Sequence, residues 1–341
     1  MRIISCAGYY GTGSSAIVDY FSEFSDCFSF ADYEFRFLHD PDCVSDLEYN
    51  LVENHNRNNS GYALKRYRKM VDFFAGSKLI SRYEPFFDNQ WKKISYEYID
   101  SLTDFDYSGY WIYDVLDKGK WYYVGARIIN KILQNTVWRN NRKKKIENNL
   151  NELPNERTLC SRPSEEKFLT LTREYVNKLI TVANKDNKPF VVVDQIVPAS
   201  NLNRYTRYVD DIVVFVVDRD PRDVYYLAKY VWKVKMVPTE SPETFSRWFR
   251  YTHAHRLVET PDPSKVLYVQ FEDMVLNYEV TMEKVRNFAG LAENNHISKF
   301  IYFDPSVSKK NIRPWLNDKA HKDEIERIKE LLPEFLYDFK D

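Results

Sequence analysis

The 341-residue chain carries 49 basic and 50 acidic side chains, a formal net charge of −1. That balance excludes the diffuse cationic footprint of a nucleic-acid binder, so any anion site must be local. With 44% hydrophobic and 16% aromatic residues intrinsic disorder is excluded, and no apolar run approaches the ~20 residues of a membrane span.

Residues 2–7 read as a short, mostly apolar strand, and Gly8-Tyr-Tyr-Gly-Thr-Gly13 as a loop. From Ser14 the spacing turns helical, with Ile17 paired to Phe21 and Tyr20 to Phe24 at i,i+4. Residues 27–31 give a second buried strand that ends at Asp32-Tyr33-Glu34. Residues 40–185 differ: they are polar, rich in Asn and Tyr, and mostly lack strand-type runs. Helical spacing covers 44–58, 61–75, 121–138 and 165–184, where Phe168, Leu171, Tyr175 and Leu179 share a face. This stretch reads as a helical insertion or cap within a single domain spanning 1–341. It includes the basic run Arg139-Asn-Asn-Arg-Lys-Lys-Lys145, either a solvated helix face or a dock for an anionic acceptor. Its four tryptophans, Trp91, Trp111, Trp121 and Trp138, read either as core or as faces for stacking on sugars.

The α/β rhythm then returns. Pro189-Phe-Val-Val-Val-Asp194 and Ile212-Val-Val-Phe-Val-Val217 are buried strands by their β-branched runs. Pro221 suits the first turn of a helix reaching Trp232. Helices over 241–259, 279–289 and 319–331, with a strand over 266–270, complete the chain. Strands alternating with helices predict an α/β fold, a P-loop NTPase-like parallel sheet flanked by helices. Cys6, Cys27, Cys43 and Cys160 form no C-x-x-C pair and read as reduced thiols. His253 and His255 lie two apart on a predicted helix, a poor metal pair.

Glycine is the informative count. Of nine in the chain, Gly8, Gly11 and Gly13 fall within six residues. Gly8-x-x-x-x-Gly13-Ser14-Ser15 between a strand and a helix has P-loop spacing. Successive backbone N–H groups in such a loop form an anion nest, and the helix that follows presents its positive end. Gly8, Gly11, Thr12, Gly13, Ser14 and Ser15 are therefore candidate phosphate-binding residues. The plainer alternative is a tight strand–helix turn capped by Ser14. Position 14 is Ser where a nucleoside triphosphatase places lysine. A Mg²⁺-dependent kinase reading would rest on Asp218 as metal ligand.

Four segments resemble the sulfotransferases that use 3′-phosphoadenosine 5′-phosphosulfate (PAPS). They are the loop ending Gly13-Ser14-Ser15, the strand entering Asp218-Arg219-Asp-Pro221-Arg-Asp223, the pair Glu272-Asp273-Met274 and Phe288-Ala-Gly290-Leu291, and the late turn Ser308-Lys309-Lys310-Asn311-Ile-Arg-Pro-Trp315. The resemblance covers about 1–38 and 188–316. It implies that the loop holds the 5′-phosphosulfate, that Arg219 binds the 3′-phosphate, and that Lys309 and Lys310 close over it. In the carbohydrate-modifying branch a glutamate beyond the loop serves as general base. Glu34, 21 residues past Gly13, matches it, with Asp194 as rival base or acceptor-orienting group. Arg36 and Gln195 are candidates for the acceptor side.

The chemistry agrees with these residue types. An acceptor hydroxyl attacks sulfur in line, a carboxylate takes its proton, and donors stabilise charge on the departing phosphate oxygen. No metal is required. Two positions depart from the family pattern. Gly11 stands where members carry Lys or Arg, and Leu227 where they carry Ser. Leaving-group stabilisation then falls to Arg36, Lys309 or Lys310, or the protein is an inactive nucleotide-binding relative. The expectation is a soluble, cytoplasmic, bacterial enzyme acting on a hydroxyl of a saccharide or glycoconjugate, with no nucleic-acid partner and no membrane span.

Overall fold

The computed structural model describes residues 1–77, 80–109, 113–140 and 156–339. Trp111 and positions 141–145 of the basic run lie outside the described residues. Among these residues no helix is long and apolar enough to cross a membrane. The seven strands in chain order are β1 (Arg2–Gly8), β2 (Cys27–Glu34), β3 (Phe105–Gly109), β4 (Glu156–Cys160), β5 (Phe190–Asp194), β6 (Ile212–Asp218) and β7 (Val266–Gln270). The chain divides into two compact units. One comprises Met1–Pro41, Pro85–Gln90 and Thr172–Asp341; the other comprises Asp42–Glu84 and Trp91–Leu171.

The first unit is an α/β layer structure. Its sheet has the order β2-β5-β1-β6-β7, and every pairing is parallel. The β-branched runs explain the central strands: β6 is buried at every position from Ile212 to Val217, as a strand covered on both faces must be. The helix Ser15–Ser22 follows β1 and buries Ile17, Val18 and Phe21. Phe21 packs on Phe215 of β6 with ring centroids 5.2 Å apart. The paired Tyr20 and Phe24 rings meet at 5.2 Å, as their i,i+4 spacing anticipates. The chain leaves central β1 for β2 on one side and, after β5, crosses to β6 on the other, so the strand order reverses at β1. A sheet of this kind offers a crevice at the carboxyl ends of its strands where the order reverses. The residues there are Gly8, Glu34, Asp194, Asp218 and Gln270.

Three local expectations change. β2 runs on to Glu34 because a register shift between Ser29 and Glu34, with Ala31 at φ +54°, lets the strand resume pairing with Glu34 opposite Asp194. The predicted helix over 241–259 breaks at His253 into Pro242–Thr252 and Ala254–Val258. The helix over 279–289 is preceded by a separate one at Phe271–Leu276. It ends, as Gly290 predicts, in a left-handed cap at φ +85°.

The second unit is not purely helical. β3 and β4 form an antiparallel ribbon pairing Phe105 with Cys160 and Gly109 with Glu156. Their sequences lack a β-branched run, which hides them from pattern reading. Arg157 ties the ribbon by bonding Asp106 at 2.7 Å and Asp100 at 2.9 Å. The predicted helix over 44–58 ends near Glu53, and Asn56 starts a new one at Arg57–Ala75 by accepting the Asn59 amide. A helix at Trp91–Leu102 is also present. Trp91 is core: it is fully buried, and its Nε1 donates to the Val71 carbonyl at 3.0 Å.

Candidate functional site

The loop after β1 closes on itself. The Tyr9 amide donates to Thr12 Oγ1 at 3.0 Å, and the Thr12 amide to the Tyr9 carbonyl at 3.1 Å. Gly11 and Gly13 take φ values of +84° and +96°, which side chains disfavour. A Cβ on Gly13 would sit 2.7 Å from the Phe271 ring. Gly13→Ala is therefore expected to destabilise the fold by about 2 kcal/mol, measurable by urea unfolding; an unchanged midpoint would mean that the loop is not held as described. At Gly11 a Cβ would lie 3.2 Å from Trp232. The positive backbone angle at Gly11 is also one that a side chain would strain.

The amides of Gly13, Ser14 and Ser15 have no acceptor among the described residues. They open the first turn of the helix Ser15–Ser22, the arrangement that binds anions. Ser14 makes no side-chain cap. Its Oγ instead accepts from Gln195 Nε2 at 3.2 Å. Gln195 sits in the left-handed region at φ +57°, just past β5, with its amide on the Cys6 carbonyl at 2.8 Å. Ser14 thus occupies the N-cap position of a tight strand–helix turn without making the side-chain cap bond.

A cavity of about 470 Å³ opens at this loop. Gly8, Gly11, Thr12, Ser14, Glu34, Arg36 and Gln195 all line it. Glu34, its side chain 50% exposed, faces Arg36 Nη1 at 3.6 Å. Arg36 is itself held by Asp40, with Nε 2.9 Å from Oδ1. Gly13 and Ser15 belong to the loop but not to the cavity wall. Asp194 is buried at the end of β5 and does not line the cavity either; its neighbour Gln195 does.

Arg219 is placed differently from the loop residues. It is 3% exposed and lines a second cavity of about 230 Å³ together with Asp218, His253, Arg256 and Gln270. One arm of its fork donates to the Gly11 carbonyl at 3.3 Å, the other to the Asn311 carbonyl at 2.5 Å. It thus ties the loop to the late basic turn. Its Nε has no hydrogen-bond partner among the described residues, and its guanidinium lies 4.2 Å over the Phe271 ring. Burial lowers its pKa, opposed by Asp223, Glu272 and Asp220. Asp223 fixes the same turn, accepting from the Arg313 amide at 3.1 Å and from Trp315 Nε1 at 2.7 Å. Lys309 and Lys310 lie on that turn, exposed, and line neither cavity.

Sequence reasoning missed several wall residues. His39 has a side chain 10% exposed, lines the main cavity and donates through Nε2 to the Gln195 carbonyl at 2.8 Å. Burial lowers its pKa, so near neutral pH the ring is uncharged and Nδ1 keeps a lone pair. Tyr10, Ser200, Tyr251 and His255 also line this cavity. None stands in a motif; only the sequence proximity of His39 to Glu34 hinted at it. His253 faces the other cavity, with its ring stacked on Tyr9 at 3.8 Å and its pKa lowered to about 4 by burial. The two histidines therefore diverge, as their spacing predicts.

No protein-family model matches this sequence, and no curated protein matches it. Among solved structures, the chain is similar to the crystal structure of the sulfotransferase STF9 from Mycobacterium avium, with 11% identity, a TM-score of 0.38, and coverage of 99% of this chain and 76% of that one.

Proposed function

We propose that this protein is a sulfotransferase that moves the sulfuryl group of PAPS to an acceptor hydroxyl on a saccharide or glycoconjugate. One observation carries the reading: Ser14, at the centre of the three open amides, and the carboxylate of Glu34 line one cavity. An anion nest and a base facing a common space suit transfer of an anionic group to a hydroxyl.

The residues fit the donor in two respects. The loop leaves three neighbouring amides for an anion, and the buried Arg219 beside it retains an Nε without a hydrogen-bond partner among the described residues. When bound, PAPS supplies an activated sulfur and a phosphate leaving group. Glu34 would take the acceptor proton as the new S–O bond forms and the bond to the bridging oxygen breaks, its electron pair going to the phosphate. The amides of Gly13, Ser14 and Ser15 would stabilise that charge, and Gln195 would fix the Ser14 hydroxyl. Arg36 would orient Glu34 through their ion pair. For Arg219 to grip the 3′-phosphate, it would use Nε or exchange a main-chain carbonyl for phosphate oxygen. The kinase alternative loses support at Asp218. That carboxylate pairs with Arg256 at 3.3 Å and lines the second cavity rather than the loop's.

The test is a thermal-shift comparison of 3′,5′-adenosine bisphosphate with ATP·Mg. At a hundredfold excess over Kd the bisphosphate should stabilise the fold by about 2.7 kcal/mol, without metal. The stabilisation should largely vanish in Arg219→Ala, measured against that variant's own ligand-free midpoint. Stabilisation by ATP·Mg alone would transfer the reading to a kinase, and stabilisation by neither would remove the nucleotide site.

A further inference from the structure

The helix Lys120–Asn135 of the second unit carries an apolar stripe on its outer face. A surface helix ordinarily turns its apolar stripe to the core. Here Ala126 and Asn130 face inward, while Trp121 is 77% exposed, Ile128 56%, Ile132 54% and Val124 41%. At about 100° per residue these four fall in one stripe. Lys120, Arg127 and Lys131 fall along its adjoining edge. Leu116 and Val137, at either end of the helix, are also exposed. The 16-residue helix contains no acidic residue.

We propose that this face docks the protein on an anionic lipid surface, lying in the interface rather than crossing it. A bulky apolar stripe with an aromatic residue, bordered by cations and free of anions, is the pattern of an interfacial helix. At 16 residues it is shorter than the ~20 a span requires. Charge decides between lipid and a second copy of the chain. In a two-fold pairing the face meets itself, and its cations find no carboxylate; an anionic headgroup layer supplies the missing charge. The inference is independent of the reaction assigned to the first unit.

The experiment is co-sedimentation of the full chain with vesicles of phosphatidylcholine alone and of equal parts phosphatidylcholine and phosphatidylglycerol. Binding is expected to the anionic vesicles only, and to weaken at high salt. Ile128→Asp should weaken it at least about tenfold by removing buried apolar area. Lys131→Glu should weaken it severalfold and, being a surface charge change, tests the same idea in a protein whose fold is undisturbed. Circular dichroism checks both variants. The proposal is overturned if wild type ignores anionic vesicles, if it binds phosphatidylcholine equally, or if Lys131→Glu binds like wild type. A stable dimer dissolved by Ile128→Asp would overturn it too, by assigning the face to self-association.

Discussion

Replacing Glu34 by glutamine is expected to leave binding of 3′,5′-adenosine bisphosphate within about twofold of wild type while lowering sulfuryl transfer by about 10²–10⁴-fold, the usual contribution of a positioned general base. The separation follows from geometry. Glu34 lines the cavity wall on a strand end separate from the loop that would hold the nucleotide, and it forms an ion pair with Arg36. Glutamine keeps the shape and removes the proton acceptor. Radiolabelled transfer to a panel of hydroxylated saccharides, run beside calorimetric titration of the bisphosphate, reads both quantities. Asp194→Asn and His39→Ala sharpen the result. Asp194 is buried and away from the cavity wall, so its change should act chiefly on stability. His39 presents a neutral ring to the same cavity. If transfer survives in Glu34→Gln and is lost in His39→Ala, the base is His39 and the Glu34 assignment is wrong.

The second large effect is on stability, through Glu272. Its side chain is fully buried, with Oε1 accepting the Asp220 amide at 3.0 Å and Oε2 without a hydrogen-bond partner among the described residues. Burial, with the neighbouring Asp223 adding, pushes its pKa from 4.5 up to about 8. Between those two values the folded protein holds a proton that the unfolded chain has released. This contribution is therefore complete below the unfolded value and disappears as pH rises through the folded one. From pH 6.5 to pH 9 the protein should lose about 2 kcal/mol from this group, a fall of a few degrees in Tm. Glu272→Gln keeps an acceptor for the Asp220 amide and cannot ionise, so its Tm should be flatter over that range. Parallel Tm curves for wild type and variant would show that Glu272 does not carry the dependence.

Much of the α/β unit is legible in the sequence because its signals are local. Continuous β-branched runs mark β5 and β6, and glycines at fixed offsets mark the loop whose φ values turn positive. Pro221 and Gly290 mark where helices begin and end. Each depends on a few consecutive residues and elementary steric limits. β3 and β4 escaped because their pairing, not their composition, makes them strands. The placing of Glu34 at the loop was what the sulfotransferase resemblance implied, with Arg36 and Gln195 as candidates beside it, whereas the bulge in β2 that sets Glu34 opposite Asp194 was invisible.

What the amino-acid order determined by itself was the strands of the parallel sheet, its turns and the glycine-rich loop after β1, since these answer to neighbours along the chain. Tertiary structure alone decided that Gln195, rather than Asp194, faces the cavity, and that the fork of Arg219 spends its bonds on the Gly11 and Asn311 carbonyls. It also decided that His39 enters the wall and that Trp121 and Ile128 look outward. Each of these turns on the direction of a side chain relative to residues distant in sequence. A change of one position in register or a fraction of a helical turn reverses that direction while the local pattern stays the same.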